Sequence, residues 1–350
     1  MISGTVLVVG GAGYVGAHSC KALSLAGYRP VVFDNLSTGH EHFVRWGPLA
    51  RGDIRDVDAV VQAIRTHQVE AVLHFAASAY VGESVADPQK YYENNVAGTL
   101  SLLKAMLQAD CRKLVFSSSC AIYGEPNEQP IREMTPSRPV NPYGRSKLMV
   151  EEILADYARA YGLNSIALRY FNASGADPDG EIGELRDPET HLIPRAMMAI
   201  QGHLADFAVF GDDYDTPDGT AVRDYVHVSD LADGHVAALR RLLAGEPGGA
   251  FNLGTGQGHS VKQVLDAIAA ETGETLAAIN GPRRQGDPPV LVADASLARA
   301  ELGFAPRRSD LKTIIGTAWA WHCRAHPRKR SDSMGGVDQI ALAVSAADDG

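Results

Sequence analysis

The stretch from Thr5 to Ala26 constrains the fold more than any other. Thr5-Val-Leu-Val-Val9 is an apolar, β-branched run, glycines stand at positions 10, 13 and 16, and the helical pattern Val15–Ala26 follows. A strand, a glycine-rich turn and a helix in that order open a βαβ unit and predict a parallel sheet with right-handed crossovers. Each glycine has its own use. Gly10 permits the tight turn, Gly13 lets a pyrophosphate approach the backbone, and Gly16 lets helix and strand pack closely. The phosphates then rest on the free amides of the helix N-terminus.

The alternation continues. Pro30–Phe33, Ala71–Phe75, Lys113–Ser118 and Ser165–Arg169 read as strands, with helical patterns at Val57–Thr66, Asn95–Gln108 and Tyr143–Tyr161. Strands apolar on both faces and separated by helices predict an α/β fold, a Rossmann-type doubly wound parallel sheet. The second strand is followed at once by Asp34, 18 residues after Gly16. A carboxylate there meets the diol of an adenosine ribose and repels a 2′-phosphate, so the pattern predicts NAD and not NADP. Gly52-Asp53-Ile54 closes a third short strand, at the position of an adenine contact.

Beyond about residue 175 glycine, proline and aspartate thicken, and helices are predicted at Ile193–Gln201, Ser229–Ala244, Ser260–Thr272 and Ala295–Leu302. The reading is a dinucleotide-binding domain over 1–175, a smaller C-terminal α/β substrate-binding lobe over 176–330, and a flexible tail over 331–350. Phe251–Leu253 and Val226–Val228 are the segments of the lobe expected to return to the main sheet. With 45% apolar residues the 350-residue chain has ample core material. A net charge of −10 argues against nucleic acid or an acidic membrane surface as partner. No apolar run approaches the ~18 residues of a membrane span, and the N-terminus carries no signal-peptide pattern. Cys20, Cys111, Cys120 and Cys323 form no C-x-x-C pair, and the 12 histidines show no metal-binding spacing. Those counts predict a cytoplasmic protein with neither disulfide nor metal site.

The chemistry concentrates at Tyr143-Gly-Arg-Ser-Lys147, which puts a phenol and an ammonium on one helix face. Asn141 is a good N-cap and Pro142 a good first residue, so Tyr143 falls in the first turn. Lysine, the helix dipole and a nearby nicotinamide cation would each favour phenolate. Lowering a tyrosine from ~10 to about 7 takes roughly 4 kcal/mol, within reach of three such sources. Ser117-Ser118-Ser119 ends the preceding strand, where hydroxyls face the ligand crevice of this architecture.

These residues together make the chain resemble the extended short-chain dehydrogenase/reductases and, within them, the UDP-glucose (UDP-galactose) 4-epimerases. The resemblance runs from about residue 5 to about residue 325. It is carried by Asp34-Asn-Leu-Ser-Thr-Gly39, Gly52-Asp-Ile-Arg55, His74-Phe-Ala-Ala77, Val81-Gly-Glu-Ser84 and Tyr91-Tyr-Glu-Asn-Asn-Val96. It continues through Phe116-Ser-Ser-Ser119, Leu168-Arg-Tyr-Phe-Asn172, Phe210-Gly-Asp-Asp-Tyr214 and Val222-Arg-Asp-Tyr-Val-His227.

The resemblance implies that Tyr143 is the base, Ser119 a hydrogen-bond partner of the sugar hydroxyl, and Lys147 an electrostatic aid and ribose ligand. It implies an NAD-binding set of Gly10, Gly13, Tyr14, Val15, Gly16, Asp34, Asn35, Ser37, Thr38, Gly39, Asp53, Ile54, Phe75, Ala76, Ala77, Asn95, Ser117 and Tyr170, with Tyr143 and Lys147. Asn172, Arg223 and Arg284 would meet the diphosphate of a UDP-sugar, Ala208 and Phe210 would frame the uracil, and Asp287 would hold its ribose. His191 and Leu192 would offer backbone contacts. Guanidinium forks suit a diphosphate whatever the family.

The implied reaction is reversible 4-epimerisation of UDP-glucose and UDP-galactose: hydride transfer to NAD, a 4-keto sugar, rotation of the ring, and hydride return. Cys120 and Ala121 stand where a sugar-nucleotide 4,6-dehydratase of this scaffold carries Asp-Glu, which argues against dehydration. A UDP-pentose or UDP-uronate 4-epimerase is the alternative. Two positions depart from the family: Ala79, where some members have lysine, and Leu291, where strict hexose epimerases often have tyrosine. Leu291 leaves acceptance of N-acetylhexosamines open. A homodimer through Asn95–Gln108 and Tyr143–Tyr161 is implied as well.

Overall fold

The computed structural model describes residues 4–284 and 287–328; the expected tail lies outside the described residues. Fourteen strands are present among them: β1 (Thr5–Val9), β2 (Arg29–Asp34), β3 (Leu49–Arg51), β4 (Ala71–His74), β5 (Lys113–Ser119), β6 (Asn164–Tyr170), β7 (Asn172–Ser174), β8 (Ala208–Phe210), β9 (Val222–Arg223), β10 (Tyr225–His227), β11 (Gly249–Leu253), β12 (His259–Ser260), β13 (Ile279–Gly281) and β14 (Val290–Leu291). The helices are α1 (Tyr14–Leu25), α2 (Val57–His67), α3 (Val81–Ala86), α4 (Pro88–Tyr91), α5 (Gly98–Gln108), α6 (Pro142–Tyr161), α7 (Leu192–Ile200), α8 (Val228–Leu243), α9 (Val261–Thr272), α10 (Ser296–Leu302) and α11 (Leu311–Ala325). None of them is long and apolar enough to cross a membrane.

Seven strands form one parallel sheet in the order β11-β6-β5-β4-β1-β2-β3. Period-two alternation explains why its strands are apolar on both faces. Leu7, Val9, Val31, Phe33, Leu114 and Phe116 point into one core, shared with residues of α2, α5 and α6. Val6, Val8, Val32, Leu73 and Val115 point into the other, against α1 and α8. Each such side chain contributes about 1.5–3 kcal/mol when fully withdrawn from water. The strand order reverses between β1 and β4, and the carboxyl ends there open a crevice, the place where this architecture binds ligands.

Local sequence sets the elements that carry the chemistry. Asn141 caps α6 by accepting from the Gly144 amide at 2.8 Å, Pro142 opens the helix, and Gly162 closes it in the left-handed conformation. The helix expected over Asn95–Gln108 is regular only from Gly98; Tyr92–Ala97 form a wider π turn. Asn95 accounts for it, since its side chain is turned inward to bond both the amide and the carbonyl of Ser78 and the Ser146 hydroxyl. Such turns mark functional sites.

Phe251–Leu253 joins the main sheet as part of β11, beside β6. Val226–Val228 does not: β10 pairs with β7 in a separate two-stranded sheet. The reason is Phe171, which separates β6 from β7 and is buried in a cluster with Ile122, Tyr123, Ile131, Leu291 and Ala293. Beyond it the chain leaves the main sheet, and β10 follows.

Candidate active site

The crevice at the carboxyl ends of β1 and β4 is a cavity of about 880 Å3, large enough for a dinucleotide. Its floor is the glycine turn. A Cβ on Gly10 would lie 2.5 Å from the Ala76 amide nitrogen, and one on Gly16 2.2 Å from the Gly10 carbonyl oxygen. Those two glycines are demanded by packing. At Gly13 nothing lies closer than 3.4 Å, so its missing side chain leaves open the space a phosphate needs. Gly13 caps α1 without any side-chain partner for the first amides, which are left to receive an anion. The residues present therefore fit NAD.

Tyr14, Val15, Asn35, Ser37, Thr38, Gly39, Ile54, Phe75, Ala76, Ala77, Ser117, Tyr143, Lys147 and Tyr170 line this cavity, as do the three glycines and Asp34. Asp34 is nearly buried; it accepts the Ala12 amide at 3.0 Å and the Leu36 amide at 2.8 Å, which stiffens the loop and leaves lone pairs for a ribose diol. Burial raises its carboxyl above the ordinary range, and the two amides oppose that shift. Two expected cofactor contacts stand elsewhere. Asp53 is bound by Arg55 and Asn35, and Asn95, 2% exposed, supports the Ser78 backbone from beneath. Neither lines the cavity.

Ser119 ends β5 and Tyr143 stands in the first turn of α6, so sheet and helix bring the two hydroxyls together; the Ser119 hydroxyl favours the charged form of the phenol. Burial nonetheless dominates and pushes the Tyr143 phenol well above its ordinary value. Lys147, 3% exposed, donates to the Ser117 carbonyl at 2.8 Å and is pushed down to about 7 by burial. In the ligand-free protein burial therefore raises the phenol and lowers the ammonium, opposing the expected effect of Lys147 on Tyr143. Tyr170 and Ser117 are hydrogen-bonded across the same wall.

In the C-terminal lobe Asn172, His191 and Leu192 line a second, smaller cavity with Tyr225, Trp321 and His322. Four of the remaining expected substrate contacts are paired among themselves. Arg223 forms an ion pair with Asp287, and the Arg284 guanidinium stacks 4.5 Å from the centroid of the Phe210 ring. Ala208 is in register with Ile279. Arg223 lies close enough to Cys120, the neighbour of Ser119, to oppose the upward push of burial on that thiol.

Sequence reasoning missed the segment Glu184–Asp187. Leu185, Arg186 and Asp187 form a wall of the large cavity, and the Leu185 carbonyl meets His40 at 3.0 Å. Only a cation set among Glu184, Asp187 and Glu189 could have drawn attention to it. Among the described residues two groups, Asp177 with Asp179 and Glu181, and Glu184 with Glu189 and His191, have a spacing suited to metal binding, but each already holds a cation of the protein. Lys21 bonds Asp177, Asp179 and Glu181, and Arg186 bonds Glu184.

Comparison with known proteins agrees with this architecture. The NAD dependent epimerase/dehydratase family matches residues 6–254. The UDP-glucose 4-epimerase of Rhizobium meliloti is 52% identical, covering 93% of this chain and 98% of that protein. The crystal structure of UDP-glucose 4-epimerase from Brucella ovis, in complex with NAD, shares 56% identity at a TM-score of 0.89, over 91% of this chain and 98% of that one. A UDP-glucose 4-epimerase from Stenotrophomonas maltophila, with bound NAD and formylated UDP-arabinopyranose, shares 42% identity at a TM-score of 0.89, over 92% and 98%. With a family match over most of its length and relatives above half identity, this chain belongs to the NAD dependent epimerase/dehydratase family.

Proposed function

We propose that the protein catalyses the reversible 4-epimerisation of UDP-glucose and UDP-galactose, with NAD held in the large crevice. The observation that carries this reading is the meeting of Ser119 and Tyr143 at the end of β5, beside the cavity whose floor is the glycine turn. When bound, NAD supplies a reversible two-electron acceptor at C4 of the sugar. Tyr143 takes the proton of the C4 hydroxyl while Ser119 bonds the same oxygen. The nucleotide stays anchored by Asn172, Arg223, Arg284 and Asp287, with Ala208 and Phe210 beside the base and the His191-Leu192 backbone at its edge. Small residues such as Ala76, Ala77 and Ala79 line the crevice and leave a hexose room to turn over. The same phenol then returns the proton to the C4 oxygen of the inverted sugar.

In this reading residues 1–175 bind the cofactor and 176–330 the UDP-sugar. Leu291, 9% exposed, belongs to an apolar wall with Ile122, Tyr123 and Phe171, so UDP-N-acetylgalactosamine is the second substrate to test. The protein acts as a cytoplasmic homodimer, with Leu100 on α5 and Met149 on α6 among the exposed apolar side chains available to a second copy. Incubation of the purified protein with UDP-galactose tests the function: UDP-glucose formation supports it. Absence of conversion after NAD is supplied moves the assignment to a pentose or uronate.

A further inference from the structure

The pocket around the phenol has several titratable groups and few lasting charges. Facing Tyr143 are Tyr170 from β6, Ser119 and Cys120 from the end of β5, Lys147 from its own helix, and Tyr91 from α4, whose ring centroid is 6.4 Å away. Tyr91 in turn bonds Glu83. Lys147 is the cation among these, and burial leaves its ammonium only about half populated near pH 7. Its hydrogen bond goes to the Ser117 carbonyl.

Arg186 lines the same cavity as Tyr143, Lys147 and Tyr170. Its Nε donates to Glu184 at 2.9 Å, and its guanidinium carbon lies 5.5 Å from the centroid of the Tyr80 ring. Tyr80 is fixed in turn by the Tyr91 hydroxyl, which accepts its amide and donates to its carbonyl. The guanidinium is therefore held between the Glu184 carboxylate and the Tyr80 ring. Unlike a buried lysine, it does not give up its proton. Behind it stand Glu184, Glu189 and His191. Burial raises the Glu184 carboxyl, opposed by His191 and Arg186, and the bonds from His191 hold Glu189 below the ordinary range.

We propose that Arg186 is a lasting positive charge of the protein in the catalytic cavity and stabilises the phenolate form of Tyr143. The proposal rests on the reading of Tyr143 as the base. Arg186 acts through Tyr143 and is a positioning residue. Its field favours the charged form of both Tyr143 and Tyr170, against burial that opposes both. Position 79 of the same cavity is alanine, and Arg186 supplies it with a cation.

The test is a titration of the phenol itself, by ultraviolet absorbance of the NAD-loaded protein, taken as the difference between each variant with Tyr143 and the same variant carrying Tyr143→Phe. Arg186→Gln is expected to move the Tyr143 titration about one pH unit higher, and Arg186→Lys to restore most of it. Glu184→Gln, which removes the neutralising carboxylate, is expected to move it lower. The rising limb of the kcat profile with UDP-galactose should move in the same directions. A folded Arg186→Gln protein titrating with the wild type overturns the proposal, as does an Arg186→Lys protein that titrates with Arg186→Gln. If Arg186→Gln does not fold, the opposite signs expected for Arg186→Lys and Glu184→Gln relative to wild type decide. A wild type that converts no UDP-sugar refutes the function, while the titration still decides the part played by Arg186.

Discussion

Lys147 Nζ donates to the Ser117 carbonyl oxygen at 2.8 Å and stands 4.9 Å from the centroid of the Phe116 ring. An ammonium so enclosed costs the fold free energy, because its folded-state value of about 7 lies far below the 10.5 of an exposed lysine. The sign follows from proton binding. Between about pH 7 and 10.5 the unfolded chain holds a proton that the folded protein does not, so stability rises with pH there, and the full penalty is felt below 7.

Lys147→Met should therefore abolish activity yet stabilise the ligand-free protein at pH 6.5 by about 1–3 kcal/mol, net of the lost Ser117 hydrogen bond. The gain should shrink as pH approaches 10. Urea unfolding at both pH values measures it, and an unchanged or lower stability at pH 6.5 contradicts the burial argument.

The glycines of the first turn should separate packing from ligand binding. Gly16→Ala would push a methyl to 2.2 Å from the Gly10 carbonyl oxygen and should destabilise the protein by about 2 kcal/mol or more. Gly13→Ala meets nothing closer than 3.4 Å and should leave the ligand-free unfolding midpoint unchanged while weakening NAD binding by about tenfold or more. Calorimetric unfolding with and without NAD checks both.

Five histidines are buried neutral. His18, His227, His235 and His322 are held at about 4 and His74 at about 3, each chiefly by burial. Because these values lie below the 6.5 of the unfolded chain, the stability they confer is present above pH 6.5 and is lost as pH falls toward 4. Each contributes a slope of up to about 1.4 kcal/mol per pH unit in that window. Stability should fall steeply and cooperatively between pH 6.5 and 4; a flat profile there would mean that the rings are protonated in the folded state.

Much of the main sheet was legible because its signals are local. The runs at 5–9, 113–118 and 165–169 could bury both faces only as central strands, and Asn141, Pro142 and Gly162 bound α6 by capping chemistry alone. Where prediction failed, the cause was a contact distant in sequence. Asn95 reaches Ser78 and Ser146 and widens the helix before Gly98, and Phe171 seats itself beside Leu291 and carries β7 and β10 out of the sheet. The Arg186 wall lies in an irregular segment with no periodicity to read. The Tyr143–Lys147 spacing correctly placed both groups on one helix face, but spacing carries no information about desolvation.

Arg223 is paired with Asp287 and Arg284 with Phe210, so under the proposed reading an arriving nucleotide exchanges partners with groups already satisfied. Asp287→Asn should leave the largely buried Arg223 guanidinium without its carboxylate and lower ligand-free stability by about 1 kcal/mol. UDP, whose phosphates can replace the lost partner, should raise the unfolding midpoint of the variant more than that of the wild type. Equal shifts in the two proteins would place Arg223 away from the diphosphate.

The central claim is that one phenol carries the proton in both directions of an epimerisation that leaves NAD unchanged overall. The most direct measurement mixes UDP-galactose with NAD-loaded wild type and with Tyr143→Phe, following UDP-glucose formation. The account predicts conversion to an equilibrium mixture without net NADH, and a loss of about 10²–10⁴-fold in kcat for the variant with its NAD still bound. A Tyr143→Phe protein that epimerises near the wild-type rate would contradict it.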